Sequence, residues 1–265
     1  MATSGTVAFE PSISQIIEDA YERCNVQMTS GSNLRTALFS LNILLSEWGN
    51  RGIHFWEIAN TNLYLTAGQK TFDIYRNVAT RDSSTTNKAT SDGTNYVYNA
   101  SDIITAAYRT NNGLTGQSDI ALTKIDQSTY AALSNKNSQG VPSQFWVQRF
   151  VNKTTLTLYI EPGTSQAENF INIYYVKRIQ DAAITSPNVG APADGKAYSN
   201  FPEVPFRFFP ALVSGLAFYL SQKINPTKTQ ELRLYYQDEL VRALAEDGSA
   251  SSAFVTPQTY YPAVS

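Results

Sequence analysis

Carboxylates, one thiol and one imidazole are the side chains of this sequence whose types could support catalysis. Glu18 and Glu22 share one face of a predicted helix, and Glu239 and Glu246 do so at looser spacing. A glycosidase needs only two carboxyl groups about 5 to 10 Å apart, so glycoside cleavage is conceivable. Because solvated helix faces carry such pairs routinely, we favour the interpretation that these carboxylates are exposed surface residues.

Cys24 and His54 are the single cysteine and the single histidine of the chain, so neither an internal disulfide nor a zinc or iron cluster is expected. Cys24 follows the apolar face of a helix, which favours core packing over a reactive thiol. His54 lies between a Gly-rich helix end and an aromatic pair, which favours a structural role over a catalytic one. No GxxxxGK[ST], GxGxxG, HExxH or GxSxG motif occurs. We therefore predict no catalytic residues and no cofactor.

The composition is that of a folded protein. Of 265 residues, 42% are hydrophobic and 12% aromatic, and the 16 Tyr and 13 Phe favour β-structure or aromatic interfaces. A net charge of −2 gives no general attraction for phosphate, so tight nucleic-acid binding is not expected. The first residues lack the pattern of a secretion signal, and no run is apolar enough to span a membrane. These features predict a soluble protein made in the cytoplasm.

The longest apolar run, residues 203–225, dominates the sequence and predicts a buried helix from about Phe209 onward. Pro210 falls in the first turn, where its missing N–H costs least. The helix is apolar over most of its circumference, so other helices must cover it. Gly215 costs helix propensity, and the small side chains of Gly215 and Ala217 predict a close approach by a neighbouring helix.

Three further helices are predicted around this one. Ser12 and Gln15 form a capping box for the first, and Ser32 or Asn33 caps the second. After the apolar helix, Thr227 caps the last helix together with Gln230. Its inner side is formed by four apolar residues: Leu232, Tyr236, Leu240 and Leu244.

Between the two helix pairs the apolar residues alternate, which predicts seven strands, enough for a small sandwich or barrel. Asp126 caps a short helix among them. Residues 76–101 are dominated by Ser, Thr, Asn and Asp and are predicted to form an exposed loop. The predicted strand connections are a hairpin of 55–65 with 70–75, a second hairpin of 102–109 with 119–125, and a meander of 144–151, 155–161 and 170–177.

The predicted fold class is α+β, with a helical bundle built from the two helix pairs and an inserted antiparallel β-sandwich or barrel module. The predicted segments are a helix pair (1–53), the β module (54–182), a linker (183–202), a second helix pair (203–248) and an extended arm (249–265).

The last segment carries no charge after Asp247 and contains two prolines among its apolar residues, so it cannot be a helix. One interpretation is a frayed end. We favour the other, an arm that orders on a partner through its large side chains: Phe254, Val255, Tyr260 and Tyr261.

Several stretches together resemble the head-to-tail adaptor proteins of short-tailed phages, a family also called tail tubular protein A or packaged-DNA stabilisation protein. They are LRTALFSLNILLSEWGNRGIHFWEI, NSQGVPSQFWVQR, LYIEPG, YYVKRIQDA and EVPFRFFPALVSGLAFYLSQK. The resemblance spans most of residues 10–247. None of these stretches is a catalytic signature, so the specificity comes from their order along the chain.

The resemblance implies a structural virion protein at the head–tail junction, assembled in the host cytoplasm, that forms a ring of typically twelve subunits. Such a ring docks under the portal protein, joins it to a tail nozzle protein of the tail tubular protein B type, and passes double-stranded DNA without specific binding. The uncharged arm then suits docking on the portal. The alternatives are a peptidoglycan-cleaving virion enzyme, as reported for some relatives, and a carbohydrate-binding tail module.

Overall fold

A computed structural model describes residues 9–27, 31–53, 55–76, 88–89, 96–179 and 201–247. The chain divides into two compact units. The helical unit comprises Met1–Glu47 and Gln180–Ser265, and the β unit comprises Trp48–Ile179. The described residues include α-helices and a seven-stranded, nearly closed, barrel-like sheet, so the prediction of a mixed α and β chain with seven strands is confirmed.

The helices follow the apolar periodicity of the sequence. They are α1 (Ile13–Arg23), α2 (Gly31–Asn50), α3 (Gln127–Ala132), α4 (Phe209–Ile224) and α5 (Thr229–Asp247). The predicted capping box at α1 is present: the Gln15 backbone N–H donates to Ser12 Oγ at 3.3 Å, and the Ser12 N–H donates to Gln15 Oε1 at 2.9 Å. Asp126 caps α3 as predicted.

Two predicted helix starts are wrong. α2 already begins at Gly31, before Ser32 and Asn33. The N–H groups of a first turn need no partner within the helix, so polar residues can lie inside that turn as well as before it. Thr227 does not cap α5, because Pro226–Lys228 forms a 3-10 turn in which the Thr227 hydroxyl donates to Asn225 Oδ1.

α4 is the centre of the helical unit and packs against α1 and α5. A Cβ placed on Gly215 would lie 2.9 Å from Leu44 Cδ2 of α2 and 2.9 Å from Tyr236 Cε2 of α5. The predicted close approach at this glycine is therefore confirmed, since no larger residue fits without displacing a neighbour. Pro210 lies in the first turn of α4, as predicted.

The β unit contains one sheet with the strand order β1-β7-β3-β4-β5-β6-β2. The neighbouring strands are antiparallel except β4 and β5, which are parallel. The strands are β1 (Ile58–Tyr64), β2 (Thr71–Tyr75), β3 (Ala100–Thr110), β4 (Ser118–Ile125), β5 (Gln144–Arg149), β6 (Lys153–Tyr159) and β7 (Phe170–Lys177).

The strand connections correct three predictions. The hairpin of β3 with β4 is confirmed, but β1 and β2 lie at opposite ends of the strand order and form no hairpin. The predicted meander is also wrong beyond β5 and β6, because β7 pairs with β1 and β3 instead. The sheet is not wholly antiparallel, because β4 and β5 are parallel. The connection between these two strands contains α3. Turn residues mark where a strand ends, but they do not select its partner.

The core of the β unit is formed by the inward-facing residues of the strands, including Phe72, Ile103, Phe145 and Ile173. Val97 is buried in this core although it falls within the predicted exposed loop 76–101, so that prediction is wrong at this residue. Residues 77–87 and 90–95 of the same loop lie outside the described residues.

Candidate functional site

The predicted partner-binding residues Phe254, Val255, Tyr260 and Tyr261 lie outside the described residues, as does His54. The docking arm therefore stays a prediction.

Cys24 is fully buried, and its Sγ donates to the carbonyl oxygen of Ala217 at 3.3 Å. Burial raises the pKa of this thiol above its ordinary value, which disfavours the reactive thiolate. Core packing, the role expected from the sequence, matches this environment. Glu18 and Glu22 are both exposed along α1, as expected for a solvated helix face.

The helical unit contains an apolar groove of about 500 Å³ along α1 and the first turns of α4. Its floor consists of the buried side chains of Ile16, Phe209 and Val213. Phe9 and Phe206 line it as well, although 73% and 76% of their surfaces are exposed. Exposed phenylalanine side chains beside a buried apolar floor are typical of a surface that binds another apolar group.

Local sequence explains the shape of this groove. Pro205 precedes the 3-10 turn Phe206–Phe208, and this turn leads directly into α4. The tight turn leaves Phe206 exposed while the next two phenylalanines, Phe208 and Phe209, are buried. A proline-rich start thus divides consecutive phenylalanines between the core and the surface.

One side of the groove is polar and rigid. Arg23 donates from Nε to Asp19 Oδ2 at 3.1 Å and from Nη1 to Ser214 Oγ at 2.8 Å. These bonds connect α1 to α4 across the edge of the groove. An apolar floor with a hydrogen-bonded polar rim is the usual composition of a protein interface.

α5 and α2 carry further apolar residues on the faces opposite to their buried sides. Leu234 and Val241 on α5 are 67% and 64% exposed, and they lie roughly half a turn away from the buried Tyr236. Phe39 and Ile43 on α2 are exposed in the same way, opposite the buried Leu41. We call these two surfaces the α5 stripe (Leu234 and Val241) and the α2 stripe (Phe39 and Ile43).

The sequence interpretation missed both stripes. It assigned the inner side of α5 correctly at Leu232, Tyr236 and Leu240, which are buried, but gave no role to the remaining apolar residues. The available signal was the heptad spacing of Leu234 and Val241, which places two large apolar side chains together on the outer face.

The outer face of the β unit carries a hydrogen-bonded network of asparagines. The Asn172 amide on β7 is buried and donates to Asn60 Oδ1 and to Asn62 Oδ1 on β1, both at 2.9 Å. Arg109 extends the network, donating to Asn62 Oδ1 at 3.3 Å and to both oxygens of Asp119 at 2.7 Å. These donated bonds lower the pKa of the Asp119 carboxyl below its ordinary value. The network fixes the register of β1 on β7.

Among the described residues, no group of three or more His, Cys, Asp or Glu side chains is arranged to hold a metal ion. The helices in the described ranges also lack the combination of length and apolarity that crossing a membrane requires. In comparisons with known proteins, no family model matches the chain and no curated protein shows significant similarity to it.

Proposed function

We propose that the chain is a structural virion protein that forms a head-to-tail adaptor ring, docked under the portal protein and joined to the tail nozzle protein. The observation that carries this proposal is the amount of apolar surface on the helical unit: the groove, the α2 stripe and the α5 stripe. Several stretches resemble the adaptor family in their order along the chain, above all the WGNRG ending of α2 and the VPFRFFPAL start of α4. This resemblance indicates the type of assembly.

A closed ring places specific demands on its subunit. Each subunit contacts its neighbours through two different surfaces, because a head-to-tail interface does not use the same patch twice. A ring that joins two other proteins also needs axial surfaces. The helical unit has enough separate apolar surfaces for these contacts. The α2 stripe and the α5 stripe are on different helices, and the groove lies along α1 and the first turns of α4.

In this proposal the four long helices form the bundle of the ring, and residues 249–265 form the arm that docks on the portal. Phe254, Val255, Tyr260 and Tyr261 are the anchors of the arm, because large apolar side chains supply most of the energy of a typical interface. The ring lines a channel through which DNA passes without sequence-specific binding. A weakly acidic protein with a net charge of −2 has no overall electrostatic attraction for the genome.

The test is reconstitution with the portal protein of the phage that encodes the chain. We expect the isolated chain to be monomeric or weakly associated at micromolar concentration, and to form rings when the portal is added, as seen by electron microscopy and light scattering. The double variant Leu234→Ser with Val241→Ser should fold but fail to form rings. The matched control Gln237→Ser changes an exposed polar residue of the same helix and should assemble normally. Absence of any complex with the portal would refute the proposal.

A carbohydrate-binding module is the second candidate, and the outer face of the β unit favours it. Tyr174 is about half exposed there and lies opposite Asn60 in the pairing of β7 with β1. An exposed ring beside amide groups offers stacking and hydrogen bonding to a sugar. Binding to a glycan array that Tyr174→Ala abolishes would support this function, and an array without binding would exclude it.

A further inference from the structure

One end of the β unit contains a pocket of about 220 Å³ with a strongly basic lining. Its walls come from the end of β2, the start of β3, the turn between β5 and β6, and the residues after β7. Among the described residues that line the pocket, four side chains are cationic and none is acidic. The cations are Arg76, Arg149, Lys153 and Arg178. We call this site the basic pocket.

Ion pairs account for only half of this charge. Arg149 Nη2 lies 2.7 Å from Asp102 Oδ2, and Lys153 Nζ lies 2.8 Å from Asp73 Oδ2. Arg76 and Arg178 are exposed, and within the described ranges they form no ion pair. Among the described residues, four cations against two carboxylates leave two positive charges beside a concave surface, which favours an anionic ligand.

Backbone hydrogen bonds fix the segments that carry these cations. The Arg76 N–H donates to the Asn152 carbonyl at 3.0 Å, and the Asn99 N–H donates to the Tyr75 carbonyl at 2.8 Å. The Asn99 amide also donates to the Arg178 carbonyl at 2.9 Å. The four segments are therefore held together without a ligand, so little ordering energy is spent when one binds.

The turn between β5 and β6 places apolar side chains at the mouth of the pocket. Phe150 and Val151 are 51% and 93% exposed, and Lys153 Nζ lies 5.8 Å from the centre of the Phe150 ring. An aromatic ring in the same pocket as arginines that form no ion pair among the described residues is a combination with which proteins bind nucleic acids, since bases stack on the ring while phosphates contact the cations.

We propose that the basic pocket binds the phosphodiester backbone of a nucleic acid, with a base stacked on Phe150. An acidic peptide would also satisfy the cations, but it would leave the exposed ring without a function, so the nucleic acid is favoured. Contacts to phosphate carry no sequence information, and this binding is independent of base sequence. The inference goes beyond the adaptor function and does not rest on it, because the pocket lies entirely within the β unit.

The salt dependence follows from the number of cations. Neutralising between two and four phosphates of a single strand gives a slope of log affinity against log salt of roughly −1.4 to −2.8. Raising the salt from 50 to 200 mM should then weaken binding by roughly 7- to 50-fold.

The experiment is fluorescence anisotropy of the full chain with a labelled twelve-nucleotide oligothymidine and with a duplex of the same length. The double variant Arg76→Gln with Arg178→Gln should weaken binding of both probes roughly tenfold and make the salt slope shallower, by about 1.4 for the single strand and by about 1.8 for the duplex. Phe150→Ala should weaken binding of the single strand more than that of the duplex. The control Arg35→Gln with Arg233→Gln removes two exposed arginines of the helical unit and should leave both affinities unchanged.

Two results would overturn the proposal. One is parental affinity in the Arg76→Gln, Arg178→Gln variant with its circular dichroism spectrum intact. The other is equal competition by a polyglutamate peptide of matched charge, which would assign the pocket to acidic peptides. If the duplex binds and Phe150→Ala has no effect on either probe, the stacking part of the proposal is wrong.

Discussion

Replacing Gly215 of α4 with alanine places a methyl group against side chains of α2 and α5. The new Cβ would lie 2.9 Å from Tyr236 Cε2 and 2.9 Å from Leu44 Cδ2. Overpacking of this kind costs about 1 to 3 kcal/mol. Alanine is favoured over glycine in a helix by about 1 kcal/mol, which offsets part of that cost. The net expectation is a loss of roughly 1 kcal/mol in the free energy of unfolding.

Gly49→Ala is the matched control, since a Cβ on this glycine near the end of α2 would have no atom within 4 Å. It gains helix propensity without a clash and should raise stability by about 0.5 to 1 kcal/mol. Urea unfolding followed by circular dichroism at 222 nm measures both variants. With a typical urea dependence, the midpoint should fall by about 0.5 M for Gly215→Ala and rise by a similar amount for Gly49→Ala.

A double-mutant cycle separates packing from propensity. Leu44→Ala removes one of the two obstructing side chains, so the cost of adding Gly215→Ala should shrink in that background. Tyr236 keeps its position, because its hydroxyl donates to Glu47 Oε2 at 2.9 Å, and part of the cost should persist. If Gly215→Ala and Gly49→Ala shift the midpoint in the same direction, the close approach at Gly215 is not energetically important and the reasoning is wrong.

Three further predictions address other parts of the chain. Leu216→Asp should abolish cooperative unfolding of the helical unit, because Leu216 is fully buried and an unpaired carboxylate there costs several kcal/mol; a parental melting temperature would contradict this. Asp119→Asn should remove a pH-dependent stabilisation. Because the pKa of the Asp119 carboxyl is lowered in the folded protein, this group stabilises the fold above pH 3.8, its ordinary pKa, and the stabilisation is lost as the pH falls through the folded-state pKa. The stability of the variant and that of the parent should therefore converge in acid, and parallel pH curves would argue against it. Deleting residues 249–265 should leave the melting temperature unchanged and prevent co-sedimentation with the portal, whereas a truncated protein that still binds would exclude the docking arm.

Local signals in the sequence predicted much of the helical unit. Examples are the capping box of Ser12 with Gln15, the position of Pro210 and the small side chain of Gly215. The first two depend on residues within one or two helical turns, and the third depends on the space available to the side chain. Such local signals for helices can be identified in a single sequence.

The strand partners and the basic pocket could not be predicted in this way. Asn172 on β7 selects β1 through hydrogen bonds to Asn62 and Asn60, which lie 110 and 112 positions earlier in the sequence. No residue near either strand indicates that pairing. Likewise, Arg76 and Arg178 belong to segments that are far apart in the sequence and meet only once the sheet has formed. A net charge of −2 conceals this local concentration of positive charge.

The pairing of β1 with β7 also has a consequence for how the helical unit folds. Ile58 and Val176 are direct partners, so the chain enters and leaves the β unit at neighbouring points. While the β unit is unfolded, α1 and α4 are joined by a flexible chain of about 185 residues; once β1 has paired with β7, the effective loop is shorter by about 118 residues, which leaves about 70. Shortening the loop to that extent lowers the entropic cost of bringing α1 and α4 together by about 1 kcal/mol. Folding of the β unit thus favours association of the two helix pairs that flank it in the sequence.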